Sequence, residues 1–465
     1  MRAAQSEWAR LPVDQRLDRL RQVRTRLADR FEGLIDCLVE LRGCSRAEAL
    51  SSELIPSLDA CRFLEREAEA LLAPHKVGAA GRPFWLGAVE LEVHRDPLGV
   101  VLILAPANYP FFLPSVQAFQ ALAAGNAAII KPAPGMEKPL EFLLDAAQGL
   151  PLSLAQSSIE TVPQLLAEGV DLVVLTGSNA TGRAILRLAA ETVTPVVAEL
   201  SGCDAVVVEE GADLELVARA LAFGLCLNHG KTCMAPRRAF VPAPLLAQLE
   251  EQLAGRLEGV ARVPLNGSLP EWVAESGGRC LVGQPESGPL VVTRVRPGCR
   301  LVQEAVFEPV LSLVATESTA QAIEWVNDCP FGLTAAVFGP EARARQTAAQ
   351  LRVGVVTIND LIAPTADPRL AFGGRGASGF GLTRGREGLL QMTRQRSVQV
   401  RGKGPLYHLD PPADTDEAVL EGYLQAAHAG DFLTRWRGFS RMIMAVARER
   451  AKKARARRKE RRSIG

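Results

Sequence analysis

Two residues of the sequence have side chains that could act together on a carbonyl group: Cys233, in the segment HGKTC, and Glu199, in VVAELSG 34 residues earlier. A cysteine thiolate is a nucleophile that adds to a carbonyl carbon, and a carboxylate can activate the water that hydrolyses a thioester. A lone cysteine is more often a small, buried core residue. Four other cysteines, in apolar or undistinguished segments, are interpreted in that way: Cys37, Cys61, Cys226 and Cys329.

Short apolar runs separated by helical segments surround both residues and would have to position them. Nine runs after Pro97 have the composition of buried strands: GVVLILAP, AAIIKPA, LVVLTGS, VVAEL, DAVVVEE, AFVPA, LSLVATE, AAVFG and VGVVTIN. Helices are predicted between them, including one through Ala124 and others over Leu140–Leu150 and Gly182–Ala190. This alternation predicts an α/β fold with a parallel sheet and nucleotide-binding potential.

Residues 4 to about 72 are predicted to form helices. One apolar face recurs at intervals of three and four residues: Leu17, Leu20, Val23, Leu27, Phe31, Leu34 and Leu38. A second helix is expected from Ser45 to Leu72, with Pro56 marking a break or kink. Val89–Arg95 alternates between apolar and polar residues, which predicts a half-buried strand, and Gly255–Ser287 is expected to be rich in loops.

The composition is that of a globular chain, since 48% of the 465 residues are apolar and 23% are charged. The nine cysteines are an odd number without a CxxC pair, which argues against a disulfide framework and a zinc site. The N-terminus has no apolar signal-peptide core, and no apolar run approaches the ~20 residues of a spanning helix. We therefore expect a cytoplasmic protein of two or three domains.

Several segments together resemble the aldehyde dehydrogenase family over residues from about 5 to 400. Cys233 lies where that family has its nucleophile and Glu199 where it has its general base, and their separation agrees with the family's spacing. Asn108, in APANYPFF, lies where the family has an asparagine that stabilises the oxyanion together with the backbone N–H of Cys233. The resemblance implies that an aldehyde is oxidised to an acid through a thioester on Cys233, with NAD or NADP as hydride acceptor.

Further positions match segments with which the family binds its cofactor. Lys131, in IIKPAPG, would hydrogen-bond the adenosine ribose, and the strand-to-helix turn of LTGSNATGR would receive the pyrophosphate. The cofactor-binding residues implied by the resemblance are Lys131, Gly177, Ser178, Gly182 and Phe307. Pro134 stands where the family has a glutamate that binds the ribose 2′-hydroxyl, so a charge that would repel the 2′-phosphate of NADP is missing there.

The sequence also departs from the family's pattern at five other positions: Ala107 replaces a tryptophan, Ser201 and Glu308 replace glycines, Lys231 replaces a glutamine, and Ala305 replaces the glutamate that binds the nicotinamide ribose. Ala107 and the low aromatic content, 5%, favour an aliphatic aldehyde.

Two alternative functions stay open. One is a CoA-acylating or reductive member of the same superfold, although such members generally lack the base at Glu199. The other is a catalytically weak relative kept as a membrane-associated or assembly protein.

The resemblance implies a Rossmann-like cofactor domain, an α/β catalytic domain and a small strand arm for assembly. We expect the N-terminal helices and cofactor domain over 1–198, with a strand arm inserted at about 88–98. The catalytic domain is expected over 199–388, and an oligomerisation strand over 389–402. An unpaired strand of this kind needs a partner edge, so a homodimer or homotetramer is expected.

A linker and a basic helical extension are expected over 403–465. Ten Lys and Arg but only two acids lie between Arg448 and Arg462, whereas the rest of the chain carries a net charge of −7. The preceding apolar residues fall on one helical face: Phe432, Leu433, Trp436, Phe439, Met442, Ile443 and Val446. Residues 431–462 are open to three interpretations: an apolar face packed on the protein with a solvated tail, an anionic membrane surface and, least favoured, nucleic-acid binding.

Overall fold

The computed structural model describes residues 1–83, 86–265, 267–403, 407–409 and 411–463. Its helices are α1 (Arg2–Ala9), α2 (Val13–Asp29), α3 (Phe31–Arg42), α4 (Arg46–Ala49), α5 (Ile55–Leu72), α6 (Phe112–Ala123), α7 (Lys138–Ala146), α8 (Thr161–Ala167), α9 (Asn179–Glu191), α10 (Leu214–Cys226), α11 (Ala243–Leu257), α12 (Leu269–Ser276), α13 (Arg300–Gln303), α14 (Thr319–Asn327), α15 (Glu341–Ala348), α16 (Gly385–Gln391), α17 (Asp416–His428) and α18 (Phe432–Ser463).

The strands are β1 (His75–Val77), β2 (Val89–Pro97), β3 (Val100–Leu104), β4 (Ala127–Lys131), β5 (Leu152–Leu154), β6 (Leu172–Thr176), β7 (Val196–Glu199), β8 (Asp204–Val208), β9 (Pro236–Pro242), β10 (Val263–Pro264), β11 (Arg279–Gln284), β12 (Ser287–Thr293), β13 (Val310–Thr316), β14 (Phe331–Gly332), β15 (Thr334–Phe338), β16 (Val355–Ile358), β17 (Arg375–Gly376), β18 (Gly379–Phe380) and β19 (Thr393–Arg401).

A six-stranded sheet has the order β18-β7-β6-β3-β4-β5. Its strands pair in parallel except β18, which is antiparallel to β7. Strands β3, β4 and β6 are buried along their whole length, and this is why their sequences are continuous apolar runs. Parallel pairing brings the carboxyl ends to one edge, where Thr176 is opposite Glu199 and Leu104 is opposite Lys131.

A second, eight-stranded sheet has the order β10-β12-β13-β9-β8-β15-β16, with β11 paired to β12. It is parallel from β12 to β16, and β10 and β11 are antiparallel to β12. Each face carries an apolar core, one around Phe240 and Val292 and the other around Leu221 and Leu311. The predicted α/β class with parallel sheets is confirmed. Strands β14 and β17 form a small sheet, and β1, β2 and β19 form a three-stranded one in that order.

The N-terminal helices cover one face of the six-stranded sheet, since Leu20 of α2, Leu64 of α5 and Ile103 of β3 belong to one buried cluster. The long first helix that the apolar spacing predicts is interrupted at Arg30, where α2 ends and α3 follows. The predicted break at Pro56 is confirmed: the helical segment is divided into α4, a π-type turn (Leu50–Leu54) and α5, and Pro56 lies in the first turn of α5, where the missing N–H of proline costs no helical hydrogen bond.

Of two further predictions of secondary structure, one is confirmed and one is wrong. The strand predicted at Val89–Arg95 is confirmed and extends to Pro97 as β2. The expectation that Gly255–Ser287 is rich in loops is wrong for much of its length, because the segment contains the end of α11, helix α12 and strand β11. Strand β11 is stabilised by pairing with β12, a tertiary interaction that local composition does not reveal.

Contacts divide the chain into two compact units. The larger comprises Met1–Val77 and Glu92–Val398 and contains both parallel sheets, and the smaller comprises Gly78–Leu91 and Gln399–Gly465. The domain boundaries at 198/199 and 388/389 stay predictions.

In the smaller unit, α17 and α18 form an antiparallel hairpin, in which Thr415 hydrogen-bonds Glu449 and Glu421 pairs with Arg441. Residues 404–406 and 410 of the predicted linker lie outside the described residues. None of the helices that the structure describes is long and apolar enough to cross a bilayer.

Candidate active site

Glu199 and Cys233 lie side by side. Glu199 ends β7, and Cys233 lies in the loop between the helical turn Leu227–Gly230 and β9. The distance from Cys233 Sγ to Glu199 Oε1 is 4.0 Å, the limit of a hydrogen bond to sulfur. The other carboxylate oxygen accepts a hydrogen bond from Thr383 Oγ1 at 3.5 Å. Glu199 is buried and Cys233 is half-buried, so the two groups meet in poorly solvated surroundings where they are close enough to exchange a proton.

The pKa values of both groups are raised. Burial raises the pKa of the Glu199 carboxyl. Burial also raises the pKa of the Cys233 thiol, and the negative charges of Glu199 and Asp204 raise it further. Since two neighbouring anions repel each other strongly where water is scarce, the resting pair holds at most one negative charge.

Arg384 supplies a positive charge at this site and was not predicted from the sequence. It is 4% exposed, and its Nη1 donates to the carbonyl oxygen of Thr365 at 2.6 Å. The guanidinium carbon lies 4.3 Å from the ring centroid of Phe372 and 5.7 Å from that of Phe112. The charge of Arg384 lowers the pKa of both reactive groups and so opposes the effect of burial. One cation thus lies beside one shared negative charge.

Asn108 joins the loop that carries Cys233. Its Nδ2 donates to the carbonyl oxygen of Lys231 at 3.1 Å, and Asn228 Nδ2 donates to the same oxygen at 3.2 Å. Asn228 Nδ2 is also 3.0 Å from the carbonyl oxygen of Asn108. An amide has two N–H donors, so this bond to Lys231 leaves one of them for an oxyanion. Lys231 takes part through its backbone, which explains why a residue other than glutamine is tolerated there.

A buried polar network connects both loops to the N-terminal helices. Glu53 accepts hydrogen bonds from the backbone N–H groups of Phe111 and Phe112, at 3.2 and 2.7 Å. Arg42 lies 3.3 Å from Glu53 Oε1 and donates to Asn228 Oδ1 at 3.3 Å. Burial raises the pKa of Glu53 to about 7, against the charge of Arg42. Sequence inspection did not find this network, because its members are far apart in the chain.

Gly202 has no room for a side chain, because Cys233 and Asp204 lie against it. A Cβ atom on Gly202 would lie 2.8 Å from the carbonyl oxygen of Cys233 and 2.1 Å from Asp204 Oδ2. Ser201 is not under that restriction, and its carbonyl oxygen accepts a hydrogen bond from Ser378 Oγ at 2.7 Å. The departure from the family's pair of glycines therefore falls at the position that tolerates a side chain.

Cys233, Glu199 and Arg384 line one cavity of about 320 Å³. This volume is at the lower end of the range, roughly 300–1,000 Å³, of small-molecule sites. Its other walls are mainly apolar or aromatic: Ser51, Ser52, Pro56, Tyr109, Phe112, Leu113, Phe223, Leu227, Thr232, Met234, Ile362, Ala363, Thr365, Ala366 and Phe372. Among these described residues, Arg384 is the one cation. Ala107, from which the sequence favours an aliphatic aldehyde, is exposed and does not line this cavity.

Lys131 lies at the carboxyl end of β4. Its side chain is buried, and its Nζ donates to the carbonyl oxygen of Pro132 at 3.0 Å. Burial lowers the pKa of Lys131, whereas Glu137 and Glu160 act in the opposite direction. Pro134 leaves this edge without the carboxylate that the family has there, but Glu137 and Glu160 lie close enough to affect the ammonium group.

The predicted pyrophosphate turn joins β6 to α9. Gly177 follows β6, and its N–H donates to the carbonyl oxygen of Glu199 at 3.0 Å. Ser178 caps α9, because its Oγ accepts the N–H of Thr181 at 3.1 Å. A Cβ atom on Gly182 would lie 2.7 Å from Leu200, so that glycine allows close packing of the helix. The turn therefore lies at the same sheet edge as Glu199 and Lys131.

Phe307 lies in the loop between α13 and β13 and is 46% exposed. Ala305 carries no polar side chain toward a ligand, and Glu304 next to it is exposed. Glu308 contributes its carbonyl oxygen to Arg237 Nη1. The structure therefore keeps Phe307 accessible but does not bring it into the cavity that Cys233 lines.

Comparison with known proteins gives the class. The sequence model of the aldehyde dehydrogenase family matches residues 1–265 and 271–398. The chain therefore belongs to the aldehyde dehydrogenase family, a class of NAD- or NADP-dependent oxidoreductases that act on aldehydes.

Individual proteins are similar over most of their length. A 4,4′-diapolycopene aldehyde oxidase of Methylomonas sp is 32% identical over 415 residues, which cover 83% of this chain and 77% of the relative. A putative NADP(+) succinate-semialdehyde dehydrogenase of Mycolicibacterium smegmatis is 28% identical over 449 residues, with 88% and 84% covered. The structure of an NADP-dependent glyceraldehyde-3-phosphate dehydrogenase from Bacillus halodurans, complexed with NADP, has a TM-score of 0.76 at 27% identity, with 86% and 89% covered. The predicted fold is confirmed.

Proposed function

We propose that this enzyme oxidises an apolar, aliphatic aldehyde to the carboxylic acid with NAD or NADP, through a thioester on Cys233 that is hydrolysed with Glu199 as general base. The proposal is carried by the 4.0 Å contact between Cys233 Sγ and Glu199 Oε1 in the wall of one largely apolar cavity. A nucleophile and a base at that distance can serve both the addition and the hydrolysis.

Addition to the aldehyde requires Cys233 to lose its proton. Glu199 is the adjacent acceptor, and Arg384 compensates the negative charge that the pair then shares. The oxyanion formed as sulfur adds would receive the free N–H of Asn108 and the backbone N–H of Cys233. Preorganised donors of this kind contribute about 3–4 kcal/mol of transition-state stabilisation.

The residues at the carboxyl edge of the six-stranded sheet fit a dinucleotide. When bound, the oxidised nicotinamide accepts the hydride that leaves the hemithioacetal carbon. Lys131 is a buried ammonium whose three N–H donors exceed the one acceptor described for it, so it can bind ribose hydroxyls. The first turn of α9, after Gly177 and Ser178, contains no acid, and its N–H groups favour a phosphate. Gly182 and Phe307 complete the proposed set.

Hydrolysis of the thioester needs Glu199 as a base again, so the proton that it accepted from Cys233 must first leave to solvent. Burial raises the pKa of Glu199, which makes it a better proton acceptor than an exposed carboxylate. Thr383 Oγ1, at 3.5 Å, orients the carboxylate. We assign hydrolysis, and not transfer of the acyl group to coenzyme A, because this base is present beside Cys233.

The cavity favours an apolar chain on the aldehyde. The relative named for 4,4′-diapolycopene aldehyde acts, by its name, on that aldehyde, whereas another is named for succinate semialdehyde, which carries a carboxylate. A carboxylate buried in a cavity needs a cationic partner. Arg384 is the one cation among the described lining residues, and its charge already acts on Cys233 and Glu199. An uncharged chain therefore fits better than a semialdehyde.

Formation of the reduced cofactor tests the proposal. NAD⁺ and NADP⁺ are supplied separately with straight-chain aldehydes of increasing length, with and without coenzyme A, to wild type and Cys233→Ala. Butanal and succinic semialdehyde form a matched pair that differs by the carboxylate. We expect kcat/KM to rise with chain length, butanal to exceed succinic semialdehyde, and the acid to be the product whether or not coenzyme A is present. Turnover by Cys233→Ala, or a preference for the semialdehyde, would contradict the proposal.

We also propose that two or four copies assemble. Strand β19 is the last strand in the order β1-β2-β19 and most of its residues are exposed. An open strand edge of this kind is a template for pairing with another chain. Within each copy, we assign cofactor binding to 1–198 and catalysis to 199–388.

A further inference from the structure

Helix α18 carries an exposed apolar face near its start. Its members recur at intervals of three and four residues, which places them on one side of a helix. Their side chains are between 45% and 77% exposed, and the ring centroids of its tryptophan and second phenylalanine are 6.2 Å apart. This α18 stripe consists of Phe432, Leu433, Trp436, Phe439, Ile443 and Met444.

Helix α17 packs on a different face of α18. Met442 and Ala445 are buried. Gly438 approaches α17 so closely that a Cβ atom on it would lie 2.5 Å from Gln425 Cβ. Met442, which the sequence analysis grouped with the stripe, therefore belongs to the interior of the hairpin. The hairpin is formed without use of the α18 stripe, so covering the stripe would not require the hairpin to open.

Cations accompany and follow the stripe. Arg441 pairs with Glu421 and Lys452 pairs with Asp414, so part of the charge of α18 is balanced by α17. Beyond Arg455 the sequence adds five more cations and a single acid. The excess positive charge thus grows along the helix, away from the part of α18 that packs on α17.

We propose that α18 docks on an anionic phospholipid surface, with the α18 stripe inserted among the acyl chains and the basic residues on the headgroups. An amphipathic helix with large apolar side chains on one face and Lys and Arg around them binds in this way. The Lys and Arg that follow are attracted to anionic lipid within a Debye length of the surface. The helix lies on the membrane, since none of the described helices is apolar enough to span it.

The α18 stripe and the basic residues together favour an anionic lipid surface over nucleic acid and over a second copy of the chain. Nucleic acid would engage the cations but leaves six large apolar side chains in water. A second copy of the chain would cover the stripe but would bring two basic segments together, each with ten Lys and Arg and two acids over 448–462. An anionic lipid surface satisfies both features at once.

Co-sedimentation of the full chain with phospholipid vesicles tests the proposal. The vesicles are pure phosphatidylcholine or phosphatidylcholine with phosphatidylglycerol. The stripe variant replaces Phe432, Trp436, Phe439 and Ile443 by serine. The matched control replaces Leu420 and Leu424 of α17, which are 65% and 61% exposed, by serine. Aldehyde oxidation is measured without lipid in parallel, so that loss of lipid binding is distinguished from loss of the enzyme.

We expect wild type and the control variant to bind the anionic vesicles, to bind pure phosphatidylcholine weakly, and to dissociate as salt rises. The affinity of the stripe variant for the anionic vesicles should fall by at least about tenfold, while its activity without lipid stays unchanged. The proposal would be overturned if the stripe variant bound as well as wild type, or if wild type bound the two kinds of vesicle equally. It would also be overturned if wild type had the mass of several chains and the stripe variant the mass of one, since the stripe would then join copies of the chain. Tight, stripe-independent binding of an RNA duplex with no vesicle binding would also overturn it.

Discussion

At the scale of single residues, the site gathers three ionisable groups in one poorly solvated place. Cys233 and Glu199 cannot both be negative without a large electrostatic cost, and the guanidinium of Arg384 reduces that cost. The stacking of Arg384 against Phe372 fixes the charge without a carboxylate partner that would neutralise it. Arg384 therefore favours the thiolate of Cys233 and lowers a pKa that burial raises.

Replacing Arg384 by methionine should shift the reactivity of Cys233 to higher pH. A nearby cation stabilises the thiolate, so its loss raises the pKa of Cys233, and one unit corresponds to about a tenfold lower thiolate fraction at a fixed pH. The measurement is the rate of alkylation of the Cys233 peptide by iodoacetamide as a function of pH. Arg384→Lys, which keeps the charge, should shift the profile less. Superimposable profiles for wild type and Arg384→Met would rule out the electrostatic role.

The proximity of Cys233 and Glu199 could be predicted from the sequence, but their surroundings could not. Cys233 and Glu199 were recognised because each lies in a short segment with a characteristic spacing. Arg384 follows the glycine-rich segment that ends at Gly381, yet nothing local separates it from the other 52 Lys and Arg of the chain. Its significance arises from the cavity, which exists only after the two sheets and α5 come together.

At the scale of elements, the N-terminal helices hold the loops that carry the reactive groups. Glu53 occupies a π-type turn, Leu50–Leu54, between α4 and α5 and binds the N–H groups at the start of α6. Through Arg42 and Asn228, the same turn is connected to the carbonyl oxygens of Asn108 and Lys231. Loosening this connection should misplace the oxyanion donors although no reacting group is changed.

The stability of the fold should reflect the pKa of Glu53. That pKa is about 7 in the folded protein and near 4.5 in the unfolded chain, so the folded state holds the proton more tightly. The resulting stabilisation is complete below pH 4.5 and is lost as pH rises through about 7.

In the Glu53→Gln variant this pH-dependent stabilisation is absent. The melting temperature of wild type should therefore fall more steeply between about pH 5 and pH 8 than that of the variant. Asp204, whose pKa burial also raises to about 7, is common to both proteins and cancels in the comparison. Parallel curves would contradict this account.

The strands were easier to predict than the segments between them. Continuous apolar runs such as LVVLT require burial on both faces, and a parallel sheet supplies it. Helix α12 and strand β11 were missed because Gly, Pro and Ser are frequent around them, and their order depends on contacts with β12 and the adjacent core. The break at Pro56 could be predicted because proline is favoured in the first turn of a helix, but the π-type turn before it could not.

At the scale of the whole molecule, the strand arm and the α17–α18 hairpin are added to the part of the chain that contains the two parallel sheets. Strand β19 pairs with β2 on one edge, and Arg396 of β19 forms an ion pair with Asp96 of β2. The sequence predicted both strands, and it predicted the basic extension from composition. It did not predict that α18 would use one face for α17 and leave the stripe exposed.

Proline substitutions in β19 should dissociate the assembly. Consecutive N–H groups alternate between the two edges of a strand, so Ser397→Pro with Gln399→Pro removes donors on one edge and Val398→Pro removes a donor on the other. We expect wild type to have at least twice the mass of one 49.9 kDa chain by light scattering. The variant that affects the outer edge should have the mass of one chain. A wild type that already has the mass of a single chain would contradict the proposed homo-oligomer.

In the proposed mechanism, Cys233 carries the acyl group and Glu199 brings about its hydrolysis. The most direct measurement is the mass of Glu199→Gln after rapid mixing with NAD⁺ or NADP⁺ and a straight-chain aldehyde. We expect about one reduced cofactor per chain in a burst, which is slower than in wild type because the glutamine cannot accept the Cys233 proton, followed by still slower turnover. The acyl mass should be on the Cys233 peptide and should be removed by hydroxylamine. Steady turnover at the wild-type rate, or a burst with no acyl group on Cys233, would contradict the mechanism.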